Sequence, residues 1–224
     1  MKRYGYLIQE IIERDNLEAS FYEVTCDLKK WSKEYFESQK EDIIKKLAES
    51  IGDGSFRITR FDEFEVEDGP KKRKVQSPPV VERIGCNAVM RVVEKYVYPT
   101  VIPTSAASIK GRGMHKLFRK VRSDIQRDKE NTCYYYKCDI KKFYESIDQE
   151  TMKEEIRRHI KDPLLLPILD NFITLMEHGL SIGLRSSQCY GRMPSSVGTR
   201  PHVEGEIPCA LLLPLLRRHR SAAR

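Results

Sequence analysis

No apolar run in the sequence reaches the roughly 18–20 residues that a membrane-spanning helix needs. The longest, Ala210 to Leu216, is interrupted by Pro214. The basic start Met1-Lys-Arg-Tyr-Gly5 is followed by no uninterrupted hydrophobic stretch of signal-peptide length, so a cytoplasmic location without a membrane partner is expected. Zinc-site spacing is missing as well. The 6 cysteines (26, 86, 133, 138, 189 and 209) are scattered, and no second Cys or His pair accompanies Cys133 and Cys138. They read as reduced, mostly buried thiols. Nor is the chain strongly basic. A formal charge of +7 and a pI near 9.0 are modest for 224 residues and confine any phosphate-binding surface to a local patch. Apolar residues are not scarce: at 40% hydrophobic, the chain can build the core of one good-sized domain or two small ones.

Residues 1 to 51 read as helical. Tyr6, Leu7, Ile11 and Ile12 share a face until Asp15-Asn16, where a break is expected. A second helix from about Asp27 carries Leu28, Trp31, Tyr35, Ile43, Ile44 and Leu47 and ends at Gly52-Asp-Gly54. From Phe56 to Val66 the period drops to two, with Phe56, Ile58, Phe61, Phe64 and Val66 among charged residues, the pattern of a strand with one wet face. Gly69-Pro70 signals a turn, and a second short strand ends at Pro78-Pro79. Five acidic residues between 62 and 68 precede four basic ones, Lys71-Lys-Arg-Lys74, so a hairpin would place opposite charges on neighbouring strands. Val81 to Tyr96 reads as a helix with Ile84, Ala88, Val89, Val92 and Val93 inward. Leu164 to Met176 reads as another after the Asp162-Pro163 start, before a glycine-punctuated loop from Gly179 to Gln188.

Three stretches carry possible chemistry. The run Pro70-Lys-Lys-Arg-Lys-Val75 has three readings: a short nuclear import signal, a solvated strand face, or a hairpin that binds phosphate. The loop Thr104 to Lys116 opens a helix at about Gly113. Its Lys110 and Arg112, flanking Gly111, suit an anion at a helix N-terminus. The basic helix beyond it holds Lys116, Arg119, Lys120, Arg122, Arg127 and Lys129, which a solvated face also explains. His115 serves packing or the loop rather than general-base catalysis. Finally, Tyr134-Tyr-Tyr-Lys-Cys-Asp139 reads as a strand ending in a carboxylate, before a helix capped by Asp148 or Thr151 with Met152, Ile156 and Ile160 on one face. A strand-end Asp facing a groove is a natural Mg²⁺ ligand, or merely the end of a strand.

In order, the chain has a basic hairpin with a Pro-Pro exit, a Gly-Arg-Gly loop, a strand-end Asp with Tyr144 five residues on, and Gly-Leu-x-Ile-Gly followed by Ser-Gln. Over roughly residues 1 to 191 that series resembles bacterial reverse transcriptases of the retron, diversity-generating and group II intron-like type. The resemblance implies an α+β right-hand polymerase fold, helix-rich with a short antiparallel sheet. Residues 1–55 would be an N-terminal helical segment, 56–132 fingers-like, 133–191 a partial palm, and 192–224 an aberrant, disordered tail. It implies RNA-directed DNA synthesis by two-metal nucleotidyl transfer with Mg²⁺, or Mn²⁺ in its place, on an RNA template and a DNA or RNA primer. Asp139 matches the first catalytic and metal-binding Asp, with the Ile140 carbonyl as a further ligand. Tyr144 matches the aromatic gate that favours deoxynucleoside triphosphates. Lys71, Arg73, Lys110 and Arg112 match residues that grip the triphosphate, although Ile109-Lys110 stands where many intron-type relatives carry Arg-Pro. Ile182 and Gly183 match the loop on the nascent base pair, where many relatives have Gln-Gly. Lys116, Arg119 and Lys120 are candidate nucleic-acid contacts.

The family's second carboxylate source, a Tyr-x-Asp-Asp hairpin, is missing from this sequence. From Arg192 onward there is no Lys, Asp, Tyr or Phe, and prolines recur at 194, 201, 208 and 214. A frameshift or rearrangement near codon 192 accounts for so abrupt a change. It would leave a fragment without palm hairpin or thumb, inactive as a polymerase, with a weakened palm sheet. A non-catalytic RNA- or DNA-binding module is the alternative. Reading the DNA downstream of codon 192 in its other frames is expected to reveal Tyr-x-Asp-Asp codons, and their absence there would sink the frameshift.

Overall fold

A computed structural model describes residues 3–68, 71–101, 104–107, 109, 111–130, 132–133 and 140–193, with Asp68 and Lys71 described by their backbone alone. The expected strand at Tyr134–Asp139 and the segment from 194 onward lie outside the described residues. Nine α-helices are seen among the described residues: α1 (Leu7–Ile11), α2 (Arg14–Thr25), α3 (Lys30–Ser38), α4 (Lys40–Gly52), α5 (Val80–Val97), α6 (Met114–Arg127), α7 (Gln149–His159), α8 (Leu165–Ile173) and α9 (Arg185–Tyr190). Strands β1 (Asp62–Asp68) and β2 (Lys71–Ser77) form a two-stranded antiparallel hairpin. The fold is therefore helix-rich with a short antiparallel sheet, and no described helix is long and apolar enough to cross a membrane.

Helix α5 is the centre of the core. Its buried positions include Ile84, Cys86, Ala88, Val89, Met90, Val92, Val93 and Val97, which wrap most of its circumference. A helix apolar on most sides has to be enclosed by neighbours, and α1, α2, α4 and α9 all pack on it. Gly85 makes room for one of these contacts. A Cβ there would lie 2.4 Å from the Phe56 ring, which also meets Phe172 of α8 edge-on at 6.2 Å. The buried cluster runs from Leu7 to Met193, drawing on the three segments expected over 1–191 and on the start of the expected tail. Met193 is 1% exposed, so packing continues two residues past Gly191.

Several local expectations are corrected. Asp15 and Asn16 do not break a helix; they lie in the first turn of α2, where the Asn16 amide donates to the carbonyls of Ile11 and Ala88. The second helix is two, α3 and α4, divided at Gln39, and Trp31 and Tyr35 of α3 face solvent. The strand starts at Asp62 rather than Phe56, because Phe56 and Ile58 are buried in an extended segment against α5 and α8. The loop from Gly179 ends at Leu184, where α9 begins. Not all thiols are buried either. Cys86 and Cys189 are, but Cys26 and Cys133 are exposed.

Asp162 links two ends of the fold. One carboxylate oxygen accepts from the amides of Leu7 (2.8 Å) and Ile8 (3.4 Å) at the start of α1, the other from Leu164 (3.2 Å) and Leu165 (3.3 Å) at the start of α8. Losing a helix cap costs about 1 kcal/mol, and buried amides left without a partner add to it. Asp162→Ala is expected to destabilise the protein by about 2–4 kcal/mol in urea unfolding, and Asp162→Asn by roughly half as much. Equal stability of wild type and Asp162→Ala would refute the double cap.

Candidate functional site

The glycine-punctuated loop meets two distant parts of the chain. On one side Ile182 lies along β2: the Gln76 amide donates to the Ile182 carbonyl at 2.8 Å, and the Ile182 amide donates to Gln76 Oε1 at 2.8 Å. The Gln76 amide nitrogen Nε2 then donates to Glu63 on β1 at 3.0 Å. Gly183 takes φ +119°, and a Cβ there would lie 2.7 Å from both the Gln76 carbonyl oxygen and Val75 Cγ1. Only glycine suits that conformation and that approach. On the other side Leu180 donates to the Tyr144 carbonyl at 2.8 Å, and a Cβ on Gly179 (φ +68°) would lie 2.4 Å from the same oxygen. Gln149 braces the turn from below, its Nε2 donating to the Met176 and Gly179 carbonyls at 2.9 Å each.

Tyr144 opens a short 3₁₀ turn, Tyr144–Ser146. Its ring is half-buried at the edge of the core, tilted 69° to Phe143 with centroids 5.2 Å apart. Both rings abut Gly191 at the end of α9, where an added Cβ would come 3.0 Å from Phe143 and 3.4 Å from Tyr144. Helix α7 is capped by Asp148, which accepts from the Thr151 amide at 2.7 Å and so has its carboxyl held below the ordinary range by that hydroxyl and amide. Of the two capping residues the sequence offered, Asp148 takes the role.

Directly beyond the loop, Arg185 forks onto Glu94 of α5 at 2.9 and 2.7 Å and reaches Glu23 of α2 at 3.3 Å. Burial alone would lower the Arg185 guanidinium, but the bonds and charge of Glu94, with the charge of Glu23, raise it well above its usual value. Around it, burial pushes the Cys86 thiol up to about 12, and burial also raises the Cys189 thiol and the Tyr190 hydroxyl. These groups stay protonated and belong to the core. The missed site residues are thus Gln76, Gln149 and Arg185. Nothing in their sequence context separates them from surface polar residues.

The structure brings together the ends of three sequence motifs: β2 at Val75-Gln76, the Tyr144 turn, and Ile182-Gly183. The other expected residues stand apart or out of view. Asp139 and Lys110 lie outside the described residues, as does the side chain of Lys71. Arg73 is exposed on β2 with Val66 as its cross-strand partner. Arg112 is half-buried and turned inward, with its guanidinium 3.3 Å from the Val101 carbonyl and 3.4 Å from that of Tyr98. Lys116, Arg119 and Lys120 are exposed on α6, with Lys120 paired to Asp124 at 2.6 Å. Met114, Leu117, Phe118, Val121 and Ile125 form a stripe on the same helix, and none of its residues is buried.

The hairpin register sets Glu65 opposite Lys74 and Glu67 opposite Lys72, as the charge pattern anticipates. An Mg²⁺ or Mn²⁺ ion would need a set of oxygen ligands near Ile140. Next to it in sequence, Lys142 is paired to Glu145 at 2.8 Å, and Asp139 lies outside the described residues. Among the described residues no group of three His, Cys, Asp or Glu side chains is placed to hold a metal ion.

Gly183→Ala is expected to cost about 1–3 kcal/mol, because the strained backbone cannot relax toward Gln76. Hydrogen exchange at the Ile182 and Gln76 amides should accelerate about tenfold or more, each 1.4 kcal/mol being a factor of ten. Unchanged protection of both amides would show that the loop is not held by this contact.

Comparison with known proteins leaves the arrangement to its own geometry: no protein-family model matches the chain, and no curated protein is significantly similar to it.

Proposed function

We propose that this chain is a fragment of an RNA-directed DNA polymerase of the bacterial reverse transcriptase type, which on its own binds nucleic acid without extending a primer. One observation carries the reading. The basic hairpin, the aromatic turn after the expected Asp139 strand and the Gly-Leu-x-Ile-Gly loop are far apart in sequence, yet they meet through hydrogen bonds at Gln76–Ile182 and Leu180–Tyr144. These are three of the elements on which the resemblance rests. In a polymerase the same meeting would set the triphosphate-binding fingers, the nucleotide gate and the base-pair platform around one site.

Binding and chemistry separate in this reading. Cations on α6 and β2 attract phosphates without reading base sequence. Nucleotidyl transfer needs metal ions held by carboxylates from two places, and Asp139 is the only residue matched to that role. The exposed cations of α6 equally favour a second reading, a nucleic-acid-binding module in which Asp139 is structural.

The purified polypeptide is expected to retain single-stranded RNA on a filter at 50 mM salt and to lose affinity steeply by 200 mM, with a log–log slope of about −0.7 per phosphate contacted. Primer extension on an RNA template with Mg²⁺ and deoxynucleotides is expected to be absent, and measurable extension would overturn the assignment of a binding-only fragment. If the downstream frame is restored, Asp139→Ala should abolish extension and leave salt-sensitive RNA binding intact. Restored protein that shows no activity to lose favours the binding module.

A further inference from the structure

We propose that a cleft beside the end of α7, lined by Arg3, Glu154, Arg157 and Arg158, is a second binding site for a nucleic-acid strand, gripping its phosphodiester backbone. It is built from elements other than the hairpin and α6. Its choice of ligand rests on the nucleic-acid reading above.

The cleft is assembled by backbone pairing. Tyr4 forms a parallel bridge with Ile160, its amide donating to the His159 carbonyl at 2.8 Å and its carbonyl accepting from the Lys161 amide at 2.7 Å. That pairing sets Arg3 beside the last turn of α7. The two arginines of α7 are oriented from behind by carboxylates. Arg157 Nη2 donates to Asp170 of α8 at 2.5 Å, and Arg158 Nη1 donates to the buried Glu155 at 2.9 Å. Glu155 is itself within 3.3 Å of His159 Nε2. Each described bond engages one nitrogen of a guanidinium that carries five N–H donors, and both side chains keep an open face. Arg3 is exposed and has no carboxylate partner among the described residues.

Cations at a helix C-terminus also complement the helix dipole, which accounts for Arg157 and Arg158. It does not account for Arg3, which arrives from another segment and adds a third guanidinium facing a single carboxylate, Glu154. Fixed guanidinium forks match phosphate oxygens in geometry as well as charge. The open cleft has a volume of about 530 Å³, more than one phosphate fills, so a strand can lie along it. The four side chains that line it all carry a charge.

The test measures binding of a 30-nucleotide single-stranded RNA by fluorescence anisotropy across a salt series. Arg3→Glu is compared with Lys45→Glu, an identical charge change on the exposed face of α4. Arg3→Glu should weaken binding about 5-fold or more at low salt and reduce the salt slope by about 0.7, the loss of one phosphate contact. Lys45→Glu should change affinity less than about 2-fold. Equal effects of the two variants overturn the cleft while leaving the nucleic-acid reading intact. Wild-type protein that binds no RNA at 50 mM salt overturns both. Vesicles containing phosphatidylserine form the second arm. Arg3-dependent capture by vesicles, with RNA affinity unchanged by Arg3→Glu, assigns the cleft to a lipid headgroup and overturns the proposal.

Discussion

Two close backbone approaches govern the candidate site. Gly179 passes over the Tyr144 carbonyl and Gly183 over the Gln76 carbonyl, each at a separation that leaves no space for a Cβ. A clash with a side chain can be relieved by a change of rotamer, but a clash with a carbonyl held in a strand or turn cannot. Between these contacts the loop is bonded at Leu180 and Ile182. A net gain of about 1 kcal/mol per bond makes the junction cooperative rather than strong. Its firmness comes from the helix at its end. Arg185 begins α9 and forks onto Glu94, so the loop is tied within a few residues to the central helix. The hairpin needs that link, since two strands alone are marginal in water.

Charge is distributed differently from what its density along the sequence suggests. Basic β2 looks like the obvious polyanion site, but the register lays it against β1, whose acids outnumber the bases of β2. Beyond a Debye length of about 8–10 Å such a hairpin presents almost no net field. The excess of positive charge lies instead on α6, with Lys116, Arg119, Lys120, Arg122 and Arg127 against Asp124. In the proposed function the hairpin would act only at contact distance, with the carboxylates across the strand limiting how tightly a phosphate is held.

The sequence carried those features whose cause is local. The inward face of α5 follows from its helical period, the hairpin from its turn and opposed charges, and the start of α7 from Asp148. Features with a distant cause were illegible. Asp162 announces α8 through the Asp-Pro start, but its second role, capping α1, depends on a segment more than 150 residues away. Phe56 and Ile58 alternate like a strand, yet tertiary contact buries them without a ladder, Phe56 against Gly85 and Phe172. Gln76 and Gln149 look like surface amides until the loop they bond is folded onto them. The candidate loop was legible for the same reason as α5: glycine at fixed intervals reports a local backbone requirement, even though what presses on that backbone is remote.

Where the core lies bears on how binding and chemistry are divided. A palm that depended on a central sheet would be weakened by an incomplete sheet. In the described residues the buried cluster is instead helical, with α5 enclosed by α1, α2, α4 and α9, and the sheet is a hairpin at its margin. Surfaces carried by α6, α7 and the hairpin can therefore be displayed by a body whose cohesion does not come from strand pairing. The proposed metal site has a different requirement. Asp139 would need a second, facing carboxylate before an ion could be held, and no amount of helical packing supplies one. The proposed phosphate binding needs only cations held in place, whereas phosphoryl transfer needs two chain segments brought into register around the same metal ions.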